Sequence, residues 1–199
     1  MLDFEKRFYN EHIKNIAGTD EAGRGPLAGP IVAAAVILPQ GYTHPLIRDS
    51  KKLTEKQRES LFEVVKKEAV AFSIIIYDAN KIDKLNVHVA NKLILEEAIN
   101  TLSVKPDLAL IDAMNLHDLD IPSIPLIKGD DKALCIAAAS ILAKVTRDRI
   151  MVQLDKIYPG YGFADHKGYY CKEHTDALEM FGPIKGIHRY SYKTIKDLK

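Results

Sequence analysis

A chain of 199 residues, 47% hydrophobic and 28% charged, has the size and make-up of one ordinary globular domain with a substantial core. No apolar run approaches the ~20 residues that span a membrane. The polar segment 1–16 lacks the core of a signal peptide, and Cys135 and Cys171 have no CxxC-type spacing, which argues against a zinc site or disulfide framework and for a reducing, cytoplasmic setting.

Taken in order, Lys6 to Lys14 is a short polar lead-in. A first strand is expected over Asn15–Thr19 and a second over Ile31–Pro39, the latter apolar on both faces like a buried central strand. The loop 41–52 ends in Asp49-Ser50-Lys51-Lys52. Thr54 with Gln57 forms a capping box that opens a helix to about Ala69. Ala71–Tyr77 is a short β-branched strand, and Ala90, Ile94, Ala98 and Leu102 recur at helical spacing within 86–102. Leu108–Ile111 reads as a buried strand ending at Asp112, and Ile124–Ile127 as another leading to Lys128-Gly129-Asp130-Asp131. The longest helical pattern, 132–157, is apolar almost all round in its first half and amphipathic in its second. Pro159-Gly160 ends it; a loop (Tyr161–Gly168), a helix (Cys171–Phe181) and a basic tail follow. Three early strands and then helix–strand alternation define an α/β fold with a mixed sheet flanked by helices.

The net charge of +1 conceals a tilt. Residues 128–199 carry 13 Lys/Arg against 9 Asp/Glu, whereas residues 1–127 carry 15 against 18. Residues 158–199 also hold six Tyr and two Phe of the fifteen aromatics. Basic residues interleaved with tyrosines suit a phosphate backbone and sugar faces, although an ordinary solvated surface has the same composition.

The most unusual stretch is Asp20-Glu21-Ala22-Gly23-Arg24-Gly25-Pro26-Leu27-Ala28-Gly29-Pro30. Three glycines and two prolines within its last eight residues imply a backbone in special geometry, able to approach another group closely. Adjacent acids in a strand point to opposite faces, so the pair is expected where the first strand ends and the chain begins to turn. Acids followed by bare N–H groups can hold a divalent cation beside a phosphate; the plain alternative is a glycine-rich hairpin with solvated acids.

Four acids fall at the carboxyl ends of expected strands: Asp20, Glu21, Asp112 and Asp130. In open α/β sheets ligands collect there. Gathered together, the four would repel unless a cation neutralised them, and an oxygen-only donor set points to Mg²⁺ or Mn²⁺ rather than zinc. Two such ions about 3.5–4 Å apart activate water and stabilise a departing oxygen in phosphodiester hydrolysis. Each acid alone also reads as a strand-end turn former. The spacing G-x-G-x-x-x-G over 23–29, followed by a strand, is not a dinucleotide fingerprint, and the chain holds no GxxxxGK[ST], HExxH or GxSxG.

DEAGRGPLAGP at 20–30, DSKKL at 49–53, the strand-end Asp112, KGD at 128–130, AAASILAKVTRDR at 137–149, YGFADHKGY at 161–169 and GPIKGIHR at 182–189 together resemble ribonuclease HII, in order over nearly the whole chain. The related ribonuclease HIII carries lysine where Arg24 stands and an additional N-terminal domain, so type II is the closer likeness. One departure is Ala113 after Asp112, where the family usually has glycine; it touches loop geometry, not the carboxylate.

The resemblance implies a ribonuclease H-like fold, a five-stranded mixed sheet with helices on both sides. One catalytic domain over 1–199 would have a helical C-terminal portion from about 166. It implies an endonuclease that cuts RNA in RNA–DNA hybrids and duplex DNA containing single ribonucleotides. Asp20, Glu21, Asp112 and Asp130 would bind Mn²⁺ or Mg²⁺. Gly23, Arg24 and Gly25 would contact the ribose 2′-hydroxyl, the one group that separates RNA from DNA locally, and Tyr169 would pack on the neighbouring sugar.

Lys51, Lys52, Lys144, Arg147, His188 and Arg189 are candidate phosphate contacts, each with a solvated surface role as the alternative. Asp131 adjoins Asp130; Asp148, four residues after Lys144 on a helix, suits an ion pair. Rival readings are a non-catalytic nucleic-acid-binding module and a resolvase of the same fold. The intact acid set argues against the first, and Gly23-Arg24-Gly25 with Tyr169 against the second.

Overall fold

The computed structural model describes residues 3–47, 53–116 and 118–197. Five strands form one sheet: β1 (Ile16–Ala22), β2 (Ile31–Ile37), β3 (Ala71–Tyr77), β4 (Leu108–Asp112) and β5 (Ser123–Leu126), in the order β3-β2-β1-β4-β5. The β3–β2 and β2–β1 pairs are antiparallel, the β1–β4 and β4–β5 pairs parallel, giving the expected mixed sheet. Helices α1 (Glu55–Glu68) and α4 (Leu134–Ile157) cover one face, and α3 (Val87–Asn100) the other.

Strand alternation explains this sandwich. Val32, Ala34 and Val36 of β2 join the core with α1 and α4; Ile31, Ala33, Ala35 and Ile37 join the core with Ile94, Leu95 and Ala98 of α3. The alanines of β2 keep both faces shallow, so helices approach closely on each side. Gly18 of β1 does the same toward α4, where a Cβ would run into the backbone of Cys135 and Ile136. Helix α4 has no side-chain cap of its own. Glu5, in a 3-10 turn over Phe4–Arg7, supplies one from a distance, accepting the N–H groups of Leu134 at 2.7 Å and Cys135 at 3.3 Å.

Three helices lie outside the sequence expectation, one of them α5 (Phe163–His166), which forms within the stretch Tyr161–Gly168 expected to be a loop. Helix α2 (Ala79–Leu85) is capped by Asp78, and the next helix follows after a single residue, Asn86, whose side chain accepts from the N–H groups of His88 and Val89. Within the basic tail, α7 (Lys193–Lys196) packs Ile195 on Leu27 and Leu178. Short α5 (Phe163–His166) and α6 (Lys172–Phe181) complete the helical C-terminal part. Among the described residues, no helix is long and apolar enough to cross a membrane.

Candidate active site

The first strand continues three residues beyond its expected end. Asp20 and Glu21 therefore lie inside β1, paired with Ala34 and Ala33 of β2, rather than where the chain turns. They point to opposite faces. Asp20 turns toward α4, where its carboxylate is hydrogen-bonded to the Ser140 side chain; Glu21 turns toward α3, where its Oε1 accepts from Asn91 Nδ2 at 3.1 Å. The parallel β1–β4 register, Thr19 opposite Ile111, carries Asp112 to the same end of the sheet. Asp112 Oδ1 accepts the Gly129 N–H at 2.6 Å and so fixes the 3-10 turn Gly129–Asp131 that carries Asp130.

These charges act on one another. Burial and then the charge of Glu21 raise the Asp20 carboxyl well above the usual range, with Asp112 adding to the effect. Glu21 is raised by burial and by Asp112, against the Asn91 hydrogen bond and the charge of Arg24. As the side chains stand, no group of three or more His, Cys, Asp or Glu among the described residues could hold a metal ion. Asn91, Ser140 and the Gly129 N–H each hold one carboxylate back against its own element. The donor set itself suits a hard divalent cation: oxygen-only, half-buried to buried, with mutual repulsion that a cation relieves.

The glycine-rich link is held from beneath by two buried arginines. Arg189, 0% exposed, donates to the carbonyls of Gly23 (2.6 Å), Arg24 (2.9 Å), Gly29 (2.9 and 3.1 Å) and Pro30 (3.2 Å), and to the Tyr192 hydroxyl. Arg147, 1% exposed, donates to the carbonyls of Pro30, Ala28 and Lys167. The expectation that Arg147 and Arg189 touch phosphate is therefore corrected: their guanidiniums are enclosed and engaged with loop carbonyls. His188 is also fully buried, packed on Tyr161 and Phe163. Lys144 pairs with Asp148 at 2.8 Å, the i,i+4 ion pair that the spacing suggested. Lys51 and Lys52 lie outside the described residues.

Gly23 has φ +98°, and a Cβ there would collide with the Arg147 side chain, so glycine is required by both conformation and space. Arg24 and Gly25 are exposed at the lip of the loop. A Cβ on Gly25 would lie 3.8 Å from Tyr169 Cε1, and the Arg147 guanidinium lies 5.7 Å from the Tyr169 ring centre. The half-exposed Tyr169 ring and the Gly23–Gly25 backbone thus border one surface beside the acid-bearing end of β1. Asn91 and Ser140 escaped sequence reasoning, although each left a signal as a polar residue on an otherwise apolar helix face.

A mixed five-stranded sheet with acids at the ends of its central strands, beside a glycine loop facing an aromatic ring, is the arrangement of a ribonuclease H-like nuclease. The family model "Ribonuclease HII" matches residues 17–195. A ribonuclease HII from Caldanaerobacter subterraneus subsp. tengcongensis is 51% identical over 192 residues, 96% of this chain and 79% of that protein. The crystal structure of the ribonuclease H2 from Pyrococcus horikoshii OT3 superposes with TM-score 0.81 at 27% identity, covering 92% of this chain and 96% of that one. The ribonuclease HII in a PCNA complex from Archaeoglobus fulgidus gives TM-score 0.77 at 26% identity, with the same coverages of 92% and 96%. The chain belongs to the ribonuclease HII family and is a ribonuclease H, a divalent-metal-dependent endonuclease of RNA–DNA hybrids.

Proposed function

We propose that this ribonuclease H also incises duplex DNA on the 5′ side of a single embedded ribonucleotide, leaving 3′-hydroxyl and 5′-phosphate ends, with residues 1–199 acting as one catalytic unit. Asp20, Glu21, Asp112 and Asp130 would hold Mn²⁺ or Mg²⁺. Two such ions supply an activated water and charge stabilisation for the departing oxygen. The remaining work belongs to the chain. Asn91 and Ser140 orient Glu21 and Asp20 from opposite faces of the sheet, and Asp112 orients the Asp130 turn through Gly129. Gly23, Arg24 and Gly25 face the ribose 2′-hydroxyl, and Tyr169 packs on the adjoining sugar.

The observation that carries this reading is the adjacency of Gly25 to the Tyr169 ring at the edge where Asp20, Glu21 and Asp112 repel one another. A 2′-deoxy substrate would leave the loop's polar groups unpaired in a desolvated site, at about 1–3 kcal/mol per group. The free thiols Cys135 and Cys171 suit the cytoplasm as the setting.

The test is a duplex DNA carrying one ribonucleotide, incubated with Mg²⁺, Mn²⁺ or EDTA. Cutting at the 5′ side of the ribonucleotide with either ion and none with EDTA is expected. Equal cutting of the all-deoxy duplex would refute the ribose-reading role.

A further inference from the structure

Three histidines stand behind Tyr169. His174 and His188 are fully buried, and the His166 and His174 rings stack with centres 4.5 Å apart and planes 15° apart. Phe163 meets His174 edge-on at 5.7 Å. No part of the proposed chemistry reaches these rings, yet the hydrogen bonds of His188 and His174 form a single directed chain.

The two ends of that chain set its direction. The Ile184 N–H donates to His188 Nδ1 at 2.9 Å, so this nitrogen is bare and the hydrogen of neutral His188 sits on Nε2. That Nε2–H faces His174 Nε2 at 3.1 Å, which must accept. The hydrogen of His174 is therefore on Nδ1, and it donates to the Tyr169 carbonyl at 2.9 Å. A backbone N–H at one end can only donate, and a carbonyl at the other can only accept, so the reverse polarity is excluded.

The residues just before the end of this hydrogen-bond chain are tied to the glycine loop: the Gly168 carbonyl accepts the N–H groups of Leu27 and Ala28 at 2.8 and 3.3 Å, and the Lys167 carbonyl accepts from Arg147 at 2.9 Å. Lys167 and Gly168 both have left-handed backbone, at φ 52° and φ 80°, so the chain turns sharply just before Tyr169 and enters no strand ladder there. The Tyr169 N–H is bound by the His166 carbonyl at 2.9 Å, and its own carbonyl by His174. His166 is itself fixed: its Nδ1 accepts the Gly168 N–H at 3.1 Å, and its Nε2 faces the Tyr161 carbonyl at 2.7 Å.

We infer that His174 is a positioning residue for ribonucleotide recognition: by gripping the Tyr169 carbonyl from the buried His188 side, it holds the Tyr169 ring against Gly25. The inference rests on the reading that Tyr169 packs on the substrate sugar. Misplacement by about an ångström costs a site of this kind far more in turnover than in binding, because phosphate contacts made elsewhere supply most of the affinity.

Two conservative variants separate positioning from packing. In His174→Asn the amide nitrogen takes the place of Nδ1 and keeps the donor to Tyr169 while losing His188. In His174→Gln the amide reaches the place of Nε2, keeping His188 and losing Tyr169. On a duplex with one embedded ribonucleotide, His174→Gln should lower kcat at least tenfold with KM within threefold, while His174→Asn stays within threefold of the parent. Equal losses in both, or a larger loss in His174→Asn, would overturn the inference.

A double mutant completes the test. If His174 acts through Tyr169, adding His174→Gln to Tyr169→Ala should cost no further activity. A crippled Tyr169→Ala enzyme with fully additive losses would refute the positioning role alone. A Tyr169→Ala enzyme of parental activity would refute the ribose-packing reading and this inference with it.

Discussion

The acid-bearing end of the sheet and the floor of the glycine loop solve opposite electrostatic problems within one molecule. At the first, burial and neighbouring negative charge push Asp20 and Glu21 toward protonation. At the second, burial lowers both guanidiniums, and Arg147 is drawn down to about 10 by burial and then by the charge of Arg189. The arginines are held from within, because eight of their hydrogen bonds go to main-chain carbonyls of residues 23–30 and 167. Of the guanidinium nitrogens of this floor, Arg147 Nη1 alone is left buried and without a partner among the described residues. At the acid edge the Asn91 hydrogen bond and the charge of Arg24 lower Glu21, yet burial and Asp112 outweigh them. One region is held by the loop's own carbonyls; the other, on the proposed reading, is completed by a cation. The glycine loop joins them, running directly from β1 over the arginine floor.

Removing one charge from the acid edge should have the largest effect. In Asp112→Asn the Oδ1 still accepts the Gly129 N–H, so the Asp130 turn survives while repulsion falls. Cleavage should drop below detection, with the melting temperature unchanged or higher. A variant that cuts normally would break the account; one that fails to fold would make Asp112 a structural turn residue.

The arginine floor should answer in stability instead. Arg189→Lys cannot reproduce a planar fork engaged with four carbonyl-bearing residues and would leave buried carbonyls unpaired, at a cost on the order of 3–4 kcal/mol. For a protein of this size that is a fall of about 10 °C in Tm. The matched control is Arg149→Lys, whose guanidinium pairs with Glu59 and Glu63 at the surface and should cost less than about 1 kcal/mol. Similar losses from both would remove the distinction drawn between the two kinds of arginine.

Acid should loosen the histidine region next. Burial and then the charge of His174 pull His188 down to about 4, while its unfolded value is near 6.5. The folded state thus binds fewer protons than the unfolded state over that interval. Stability is full above pH 6.5 and falls as the pH drops from 6.5 toward 4, by up to about 3 kcal/mol. His166, His174 and Tyr161 are the titratable neighbours that face it. Denaturant titrations of the parent and His188→Gln at pH 7.5 and 4.5 should show a much smaller pH effect in the variant.

The smallest effect concerns Ala113, which follows Asp112 with φ 48°, a left-handed conformation that a Cβ resists. Ala113→Gly should raise stability by about 0.5–1 kcal/mol, or roughly 2 °C, without changing cleavage. A fall in Tm would mean that the methyl group itself is wanted there.

Most of the fold was legible because its signals are local. The Thr54–Gln57 capping box lies where the sequence put it, with both reciprocal bonds formed. The doubly apolar Ile31–Ile37 is the second strand in from the edge, covered on both faces. The end of β1 was misread because Asp and Glu resemble turn punctuation, whereas the ladder with Ala33 and Ala34 continues beneath them. Helix α7 was lost in the basic tail, since four residues carry too little periodicity.

The arginines were misread for a deeper reason. A basic residue among tyrosines looks the same in sequence whether it faces a phosphate or a ring of carbonyls some 160 positions away. Only tertiary structure reveals that the loop's buried carbonyls needed internal donors. The end of β4 at Asp112 and the Gly129–Asp131 turn after β5, by contrast, were readable because each follows from a short local pattern.

The central claim is that the acid edge is completed by divalent cations. Titrating the protein with Mn²⁺ and following the loss of the free-ion electron paramagnetic resonance signal tests it without requiring turnover. The account predicts uptake by the parent that Mg²⁺ competes away, and uptake at least tenfold weaker in Asp112→Asn at unchanged Tm. Equal Mn²⁺ uptake by the two proteins would contradict it.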